Sequence, residues 1–417
     1  LKIRLNNNGK GISGQVNLPG SKSVSNRVLI IKALSGLPFE INNLSDSDDT
    51  IFLERALSEY AHLDNVHIGH AGTDMRFLTA FFSMQPKTVI LTGSDRLKER
   101  PVKDLVEVLK VLGADISYLE KEGYPPLRIT GRELSGGEVE MDATISSQFV
   151  TALLLISPYF MEGLILSLSG ELVSKPYIAL TINVMKEFGA EVSWEQNQIR
   201  VFSKPYAYEK KTYYVEADWS SASYYYSMVA LSEVNTSVTL MGLSENSSQA
   251  DARCSALYRW FGVDTIFDKG KAIIKKTGQM KPGLLELNLV DCPDIAQTLV
   301  VTCIAMRCPF RFSGLQTLKI KETDRIKALQ LEARKFGIEL ETSDNTIQWL
   351  KPTDIKNDEC VVSTYHDHRM AMSFSPLSLE MEGLCIDDPD VVSKSYPLFW
   401  KHLNSIGISH ELMGDSL

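Results

Sequence analysis

The sequence predicts an α/β protein of two domains, built from six copies of a unit of about seventy residues that holds one buried helix, one amphipathic helix and several strands. Three observations predict it. First, 417 residues exceed the size at which a single hydrophobic core stops growing, so two domains are expected. Second, five helix-like runs end alike, at Leu112-Gly113-Ala114-Asp115, Phe188-Gly189-Ala190-Glu191, Phe261-Gly262-Val263-Asp264, Phe336-Gly337-Ile338-Glu339 and Ile406-Gly407-Ile408-Ser409, with the glycines 76, 73, 75 and 70 residues apart. Each follows an amphipathic run, such as Val102 to Leu112 or Arg325 to Phe336, and precedes an alternating strand-like run, which suits a left-handed glycine between helix and strand. Third, a helix type apolar nearly all round recurs at the same period: Val28 to Leu34, Met75 to Phe82, Phe149 to Ile156, Tyr224 to Leu231, Ile295 to Met306 and Met370 to Leu379. Such helices must be buried.

The first copy is short. Arg27 and Arg76 are 49 residues apart, against 72 from Arg76 to Gln148, and its second helix, Thr50 to Tyr60, ends without the glycine signature. The buried helices have polar N-terminal flanks: Lys22 to Arg27, Gly72 to Arg76, Ser146-Ser147-Gln148, Asp218 to Ser221, Asp291 to Asp294 and His366 to Arg369. A buried helix with such a start turns its positive dipole end and spare N–H donors toward something. In Pro19-Gly20-Ser21-Lys22-Ser23-Val24-Ser25-Asn26-Arg27 the turn, the capping serines and the two cations fit either an anion site or a capped surface helix. Lys319 to Arg325 likewise reads as a charged, solvated helix start or as ligands, and Arg100 as an anion ligand or a rim charge.

With 44% hydrophobic and 23% charged residues and a net charge of −9, the composition is that of a soluble globular protein, not a nucleic-acid or anionic-membrane binder. No run approaches a membrane span and no signal peptide is evident, so a cytoplasmic protein is expected. Cys254, Cys292, Cys303, Cys308, Cys360 and Cys385 lack ligand spacing and read as buried free thiols, with no metal site.

The motifs Pro19 to Arg27, Ala71-Gly72-Thr73-Asp74-Met75-Arg76, Glu99-Arg100-Pro101, Ser146-Ser147-Gln148-Phe149, Ser174-Lys175-Pro176-Tyr177, Asp218 to Ser223, Pro293-Asp294, Lys321-Glu322-Thr323-Asp324-Arg325 and Asp367-His368-Arg369-Met370-Ala371-Met372 closely resemble the 5-enolpyruvylshikimate-3-phosphate synthase family, in order and over nearly the whole chain. The resemblance implies the enolpyruvyl transferase fold: α/β, two similar domains, each of three βαβαββ units with buried helices inside and sheets outside. In this numbering it implies one domain of 19–216 and another of 1–18 plus 217–417. The activity implied is transfer of the enolpyruvyl group of phosphoenolpyruvate to the 5-hydroxyl of shikimate 3-phosphate, releasing phosphate, with no cofactor or metal. A monomer is expected, and because Lys22, Arg27, Arg76 and Arg100 belong to one domain and Lys321, Arg325, Arg369 and Lys394 to the other, closure by induced fit on binding shikimate 3-phosphate is expected from the placement of the charges.

Carried over position by position, Lys22, Ser23, Arg27, Ser146, Ser147, Gln148, Ser174, Tyr177, Asp294, Thr317 and Lys321 resemble the shikimate 3-phosphate ligands. Lys22, Gly72, Arg100, Gln148, Arg325, Arg369 and Lys394 resemble the phosphoenolpyruvate ligands, with His70, Thr73, Arg76 and His368 in support. Glu322 is the candidate proton donor to the methylene carbon, Asp294 the candidate base for the attacking hydroxyl, and Lys22 the assisting cation. The chain departs from the family pattern at His70, Asp74 and Phe77, which are expected to add a carboxylate and a bulky ring beside the phosphoenolpyruvate loop, and at Thr317 and His366, where many members have Asn. Two alternatives are an UDP-N-acetylglucosamine enolpyruvyl transferase, against which the absence of Cys from 19–216 speaks, and an inactive anion-binding homologue.

Overall fold

The computed structural model describes residues 1–7, 11–142, 146–170, 174–356 and 360–413. The chain divides into two compact units, Leu1–Pro19 with Glu216–Leu417, and Gly20–Val215. Among the described residues the first holds three four-stranded sheets, and the second holds two four-stranded sheets and one two-stranded sheet.

One copy shows the local logic. Strand Asn65–His67 leads into the inner helix Gly72–Phe82, then strand Thr88–Thr92, the outer helix Lys103–Val111, and strands Asp115–Tyr118 and Leu127–Thr130. The strands lie in the order first, second, fourth, third, with the first pair parallel and the others antiparallel. The same order recurs in the copy of Gly137–Val201 and in that of Leu285–Trp349. Parallel first and second strands need a crossover, and the inner helix supplies it. That places the helix against one face of the sheet, where Val89, Leu91, Leu127 and Ile129 alternate inward and are buried.

The inner helices are buried on nearly every side. In Ser147–Ile156 every residue from Phe149 onward is buried, as are Met75 to Phe82 in Gly72–Phe82. Within Gly20–Val215 the inner helices Lys22–Ser35, Gly72–Phe82 and Ser147–Ile156 pack on one another; Trp219–Ala230, Ala296–Ala305 and His368–Phe374 belong to the other unit, where Ala296–Ala305 packs against both of its fellows. The amphipathic helices Lys103–Val111, Lys175–Glu187, Arg325–Lys335 and Phe399–Ile406 end in glycines with positive φ: Gly113 at 104°, Gly189 at 81°, Gly337 at 76° and Gly407 at 113°.

Three features differ from simple periodicity. The short first copy has the helices Lys22–Ser35 and Asp48–Glu59 and a two-stranded sheet of Glu40–Asn42 and Thr212–Tyr214, without the antiparallel hairpin of its fellows. With no hairpin to enter, the Asp48–Glu59 helix needs no left-handed glycine. The helix expected before Gly262 is broken into the turns Ala250–Arg253, Cys254–Leu257 and Tyr258–Phe261. Its first turn is tied by side chains to the start of the Trp219–Ala230 helix, since Gln249 Nε2 donates to Ala217 O at 2.8 Å and Ser220 Oγ donates to Asp251. The run expected from Met370 to Leu379 is an α-helix only over His368–Phe374, because Pro376 cannot continue the hydrogen-bond ladder, and a 3₁₀ turn takes Ser375–Leu379.

The glycines separate two costs. A Cβ at Gly262 would lie 2.1 Å from the carbonyl oxygen of Gly278, whereas at Gly113 it would meet nothing within 4 Å. Gly113→Ala is expected to cost only the left-handed strain, about 1 kcal/mol, and Gly262→Ala well over twice that. Denaturant unfolding of both variants, with equal losses as the disproof, checks the assignment.

Candidate active site

In the unit Leu1–Pro19 with Glu216–Leu417, Arg325 is the first residue of the helix Arg325–Lys335, whose N-cap Asp324 accepts from Lys327 N at 3.1 Å. Far from a solvated helix start, Arg325 is 1% exposed. Its Nε donates to Asp367 Oδ2 at 2.7 Å, Nη1 to Asp294 Oδ1 at 3.1 Å, and Nη2 to Glu322 Oε2 at 2.8 Å. Asp367 is the N-cap of the inner helix His368–Phe374 and accepts from Arg369 N at 2.8 Å. Arg369 Nη1 donates to the Asp294 carbonyl at 3.0 Å and Nη2 lies 3.2 Å from Asp294 Oδ2. Lys394 Nζ pairs with Glu322 Oε1 at 2.9 Å, and Lys321 Nζ with Asp294 Oδ1 at 3.6 Å. His368 Nδ1 is 3.7 Å from Asp367 Oδ1.

Burial alone would raise the Asp294 carboxyl, but Arg369, Lys321 and Arg325 together hold it well below the ordinary carboxylate range. Arg325 is likewise desolvated, and Asp367 and Glu322 outweigh that to fix its proton more firmly than usual. Asp294 is thus an ionised acceptor in a fence of cations, and Glu322 bridges Arg325 and Lys394. Thr317 stands in the 3₁₀ turn Gln316–Ile320 just before Lys321, its buried Oγ1 without a hydrogen-bond partner among the described residues.

In Gly20–Val215 the cations are arranged differently. Lys22 is the first residue of the helix Lys22–Ser35 and its Nζ pairs with Asp49 at 3.0 Å. The expected serine cap is not made: Ser21 occupies the N-cap position with no side-chain capping bond. Arg27 is buried, and its guanidinium donates to Thr181 Oγ1 at 2.9 Å, Ser23 O at 2.6 Å, Thr151 Oγ1 at 3.4 Å and Tyr177 O at 3.2 Å. It thereby brings Ser23 and Tyr177 together. Ser174, at φ 61°, opens the Lys175–Glu187 helix, and Ser146 caps the Ser147–Ile156 helix by accepting from Gln148 N at 3.3 Å. Gln148 Nε2 in turn donates to Thr73 Oγ1 at 3.1 Å.

At Gly72 two guanidinia converge. A Cβ there would lie 2.2 Å from Arg100 Nη1 and 2.7 Å from Arg76 Nη1. Arg76 donates only to carbonyls, Gly72 O at 2.6 Å and Pro101 O at 3.1 Å, and neither arginine has a carboxylate partner among the described residues. Burial, with Arg100 alongside, pushes Arg76 down to about 9. This is a cationic cradle with its charge uncompensated. The departures lie beside it without filling it. Asp74 is buried and accepts from Asn26 Nδ2 at 2.9 Å, the Phe77 ring lies under the Arg27 guanidinium, and exposed His70 faces Ser94 Oγ at 3.3 Å.

The expected residues therefore gather into two clusters, one in each unit. Sequence reasoning missed the acidic partners Asp367 of Arg325 and Asp49 of Lys22, and the buried Asp251 that accepts from Ser220. Asp367 had a signal, as the acid that opens the Asp-His-Arg triplet at a helix start; Asp49 and Asp251 lie in no motif.

Six copies of an inner-helix, outer-sheet unit with polar inner-helix starts, three of them bearing Lys or Arg, define an enolpyruvyl-transferase fold. The model of the EPSP synthase family, 3-phosphoshikimate 1-carboxyvinyltransferase, matches residues 6–62 and 53–403, and the chain belongs to that family. Relatives named 3-phosphoshikimate 1-carboxyvinyltransferase include those of Bacteroides fragilis, 45% identical over 95% of this chain and 96% of the relative, Sulfurovum sp., 37% over 95% and 97%, and Escherichia coli, 36% over 95% and 96%. The structure of EPSP synthase from Acinetobacter baumannii shares the fold, with a TM-score of 0.79 over 99% of this chain and 100% of that one at 21% identity.

Two outcomes follow from the geometry. Gly72→Ala meets the mobile ends of arginines and not backbone, so it is expected to leave unfolding stability within about 1 kcal/mol of the parent while cutting kcat/KM by tenfold or more through displacement of Arg100. Equal losses of stability and activity would contradict this. Because the Asp294 pKa is depressed on folding, its stabilising contribution is present above the unfolded carboxylate value, about 4, and is lost as pH falls through the lower folded value. Asp294→Asn should accordingly flatten the acid limb of the stability profile.

Proposed function

We propose that the chain transfers the enolpyruvyl group of phosphoenolpyruvate to the 5-hydroxyl of shikimate 3-phosphate and releases phosphate. The observation that carries this reading is the pairing of Asp294, kept ionised by Arg369, Lys321 and Arg325, with Glu322, held between Arg325 and Lys394. Transfer needs a proton delivered to the methylene carbon of phosphoenolpyruvate, which makes C2 electrophilic, and a base that takes the proton of the attacking hydroxyl. An ionised Asp294 is competent as that base, and two arriving anions would neutralise its cations and raise its basicity. The same anions would raise Glu322 toward a proton donor. From the tetrahedral adduct at C2 a proton of the new methyl group then returns to Glu322 as the C=C bond re-forms and the C–O bond to phosphate breaks, the phosphate leaving with the proton held by Asp294 and with Lys22 assisting the departing charge.

Shikimate 3-phosphate is assigned to Lys22, Ser23, Arg27, Ser146, Ser147, Gln148, Ser174, Tyr177, Asp294, Thr317 and Lys321. Phosphoenolpyruvate is assigned to Lys22, Gly72, Arg100, Gln148, Arg325, Arg369 and Lys394, with His70, Thr73, Arg76 and His368 in support. The uncompensated Arg76 and Arg100 favour this, since two like charges held together gain most from a bound anion. No described helix is long and apolar enough to cross a membrane, and all six cysteines are free thiols, as a reducing cytoplasm keeps them. Action as a monomer without cofactor is carried over from the resemblance.

Purified protein is expected to release phosphate from phosphoenolpyruvate only when shikimate 3-phosphate is added, without metal. Turnover with a UDP-sugar acceptor would replace the reading with the related transferase, and no turnover with either acceptor would leave an anion-binding homologue.

A further inference from the structure

Asp251 lies outside every motif and outside the ion-pair cluster, yet it stands directly behind it. The residue is 4% exposed. Its Oδ2 accepts from Ser220 Oγ, and its buried Oδ1 has no hydrogen-bond partner among the described residues. Ser220 Oγ, with its proton committed to Asp251, accepts from Arg369 Nη2 at 3.3 Å, and the same nitrogen lies 3.2 Å from Asp294 Oδ2. A relay of three contacts therefore connects Asp251 to the carboxylate assigned as base.

The groups around Asp251 leave its charge without a direct counter-ion. It faces Asp294 from the Pro293–Ile295 turn, Asp218 at the N-cap of Trp219–Ala230, Arg369 from His368–Phe374, and the thiols of Cys254 and Cys292. Burial pushes Cys254 well up and Cys292 to about 12, so both are neutral near pH 7. Arg253 is turned to Cys292, with Nη1 3.7 Å from its sulfur, and to Asp291 at 4.0 Å. Among the described residues no cation reaches Asp251 within ion-pair distance; Arg369 acts on it only across Ser220. A buried carboxylate with like charges nearby and one bare oxygen holds a proton cheaply. Burial and Asp294 accordingly raise Asp251 to about 7, against the pull of Arg369.

We propose that Asp251 is a positioning residue for Arg369 that takes up a proton from solvent when an anion is held by Arg369, so that ligand binding and protonation of Asp251 are linked through Ser220. An added negative charge at Arg369 disfavours the ionised carboxylate behind it, and by reciprocity a neutral Asp251 favours the anion. Uptake places the proton on the bare Oδ1 and leaves the Ser220 contact in place, so Arg369 stays aligned with Asp294 through the change of charge. The inference rests on the reading that phosphoenolpyruvate reaches Arg369.

Infrared titration of the full chain tests it without requiring turnover. Wild-type protein should show a neutral-carboxyl band that fades as pH rises through about 7 and is missing from Asp251→Asn. At a fixed pH near 7, phosphoenolpyruvate with shikimate 3-phosphate should restore the band; inorganic phosphate, as a probe anion, should do so more weakly. Ser220→Ala, which keeps the carboxyl, should retain the band, lose most of its response to anions, and raise the KM for phosphoenolpyruvate several-fold more than it lowers kcat. This variant carries the test if Asp251→Asn does not fold. Because the folded pKa is raised, the contribution of Asp251 to stability is full below the ordinary carboxylate value and is lost as pH rises to about 7, and Asp251→Asn should remove that loss. A band that persists in Asp251→Asn, or one unmoved by both anions, overturns the proposal. Failure of enolpyruvyl transfer while phosphate still moves the band would instead overturn the functional reading and leave the linkage standing.

Discussion

The buried guanidinium of Arg325 is the constraint on which the unit Leu1–Pro19 with Glu216–Leu417 depends. Its three carboxylate partners come from separate places: Glu322 from the turn before its own helix, Asp294 from the start of one inner helix, and Asp367 from the start of the next. A charge removed from water so completely is tolerable only with every direction satisfied, and removing one partner of such a pair costs about 3–5 kcal/mol. The starts of two inner helices must therefore meet at Arg325. Once they do, Asp367 fixes the backbone of Arg369 and Glu322 fixes Lys394, so three of the cations assigned to phosphoenolpyruvate are placed by one residue.

Gly20–Val215 follows the opposite rule. Arg76 and Arg100 share the space around Gly72 with carbonyls as their nearest acceptors, and Arg27 spends its donors on hydroxyls and carbonyls. One unit holds Arg325, Arg369, Lys321 and Lys394 already paired with carboxylates; in the other Lys22 is paired with Asp49, while Arg76 and Arg100 have no carboxylate partner among the described residues. In the proposed reaction the first arrangement orders the reacting groups, and the second supplies the driving force for anion capture.

Much of this was legible in the residues. The glycines that close the amphipathic helices marked the repeat because a left-handed turn is needed wherever an outer helix runs into the third strand of its sheet, and the first copy lacked the glycine because it lacks that hairpin. Strand order was not legible. Nothing local in Gly14–Asn17 tells that it pairs with Ser237–Met241, nor in Thr212–Tyr214 that it pairs with Glu40–Asn42. In the site, the motifs held the cations and several acids, but which acid meets which cation was not legible: Asp49 lies 27 residues from Lys22, and Asp367 lies 42 from Arg325, distances at which only the fold makes neighbours. The charged run before Arg325 looked equally like a solvated face, because its burial is decided by which elements pack over it and not by its composition.

Strand Lys2–Asn7 is hydrogen-bonded on one side to Leu384–Asp387 and on the other to Ile408–Met413. On a ribosome this strand emerges before both of its partners and must wait for residues made some 380 positions later, about 20–80 s at ordinary elongation rates. Every strand and helix of Gly20–Val215 is meanwhile already synthesised. Translation thus sets an order of assembly in which the inserted unit is able to fold while the other still holds an orphaned edge, and Lys2–Asn7 is made early in its unit yet is among the last of its strands to find its place.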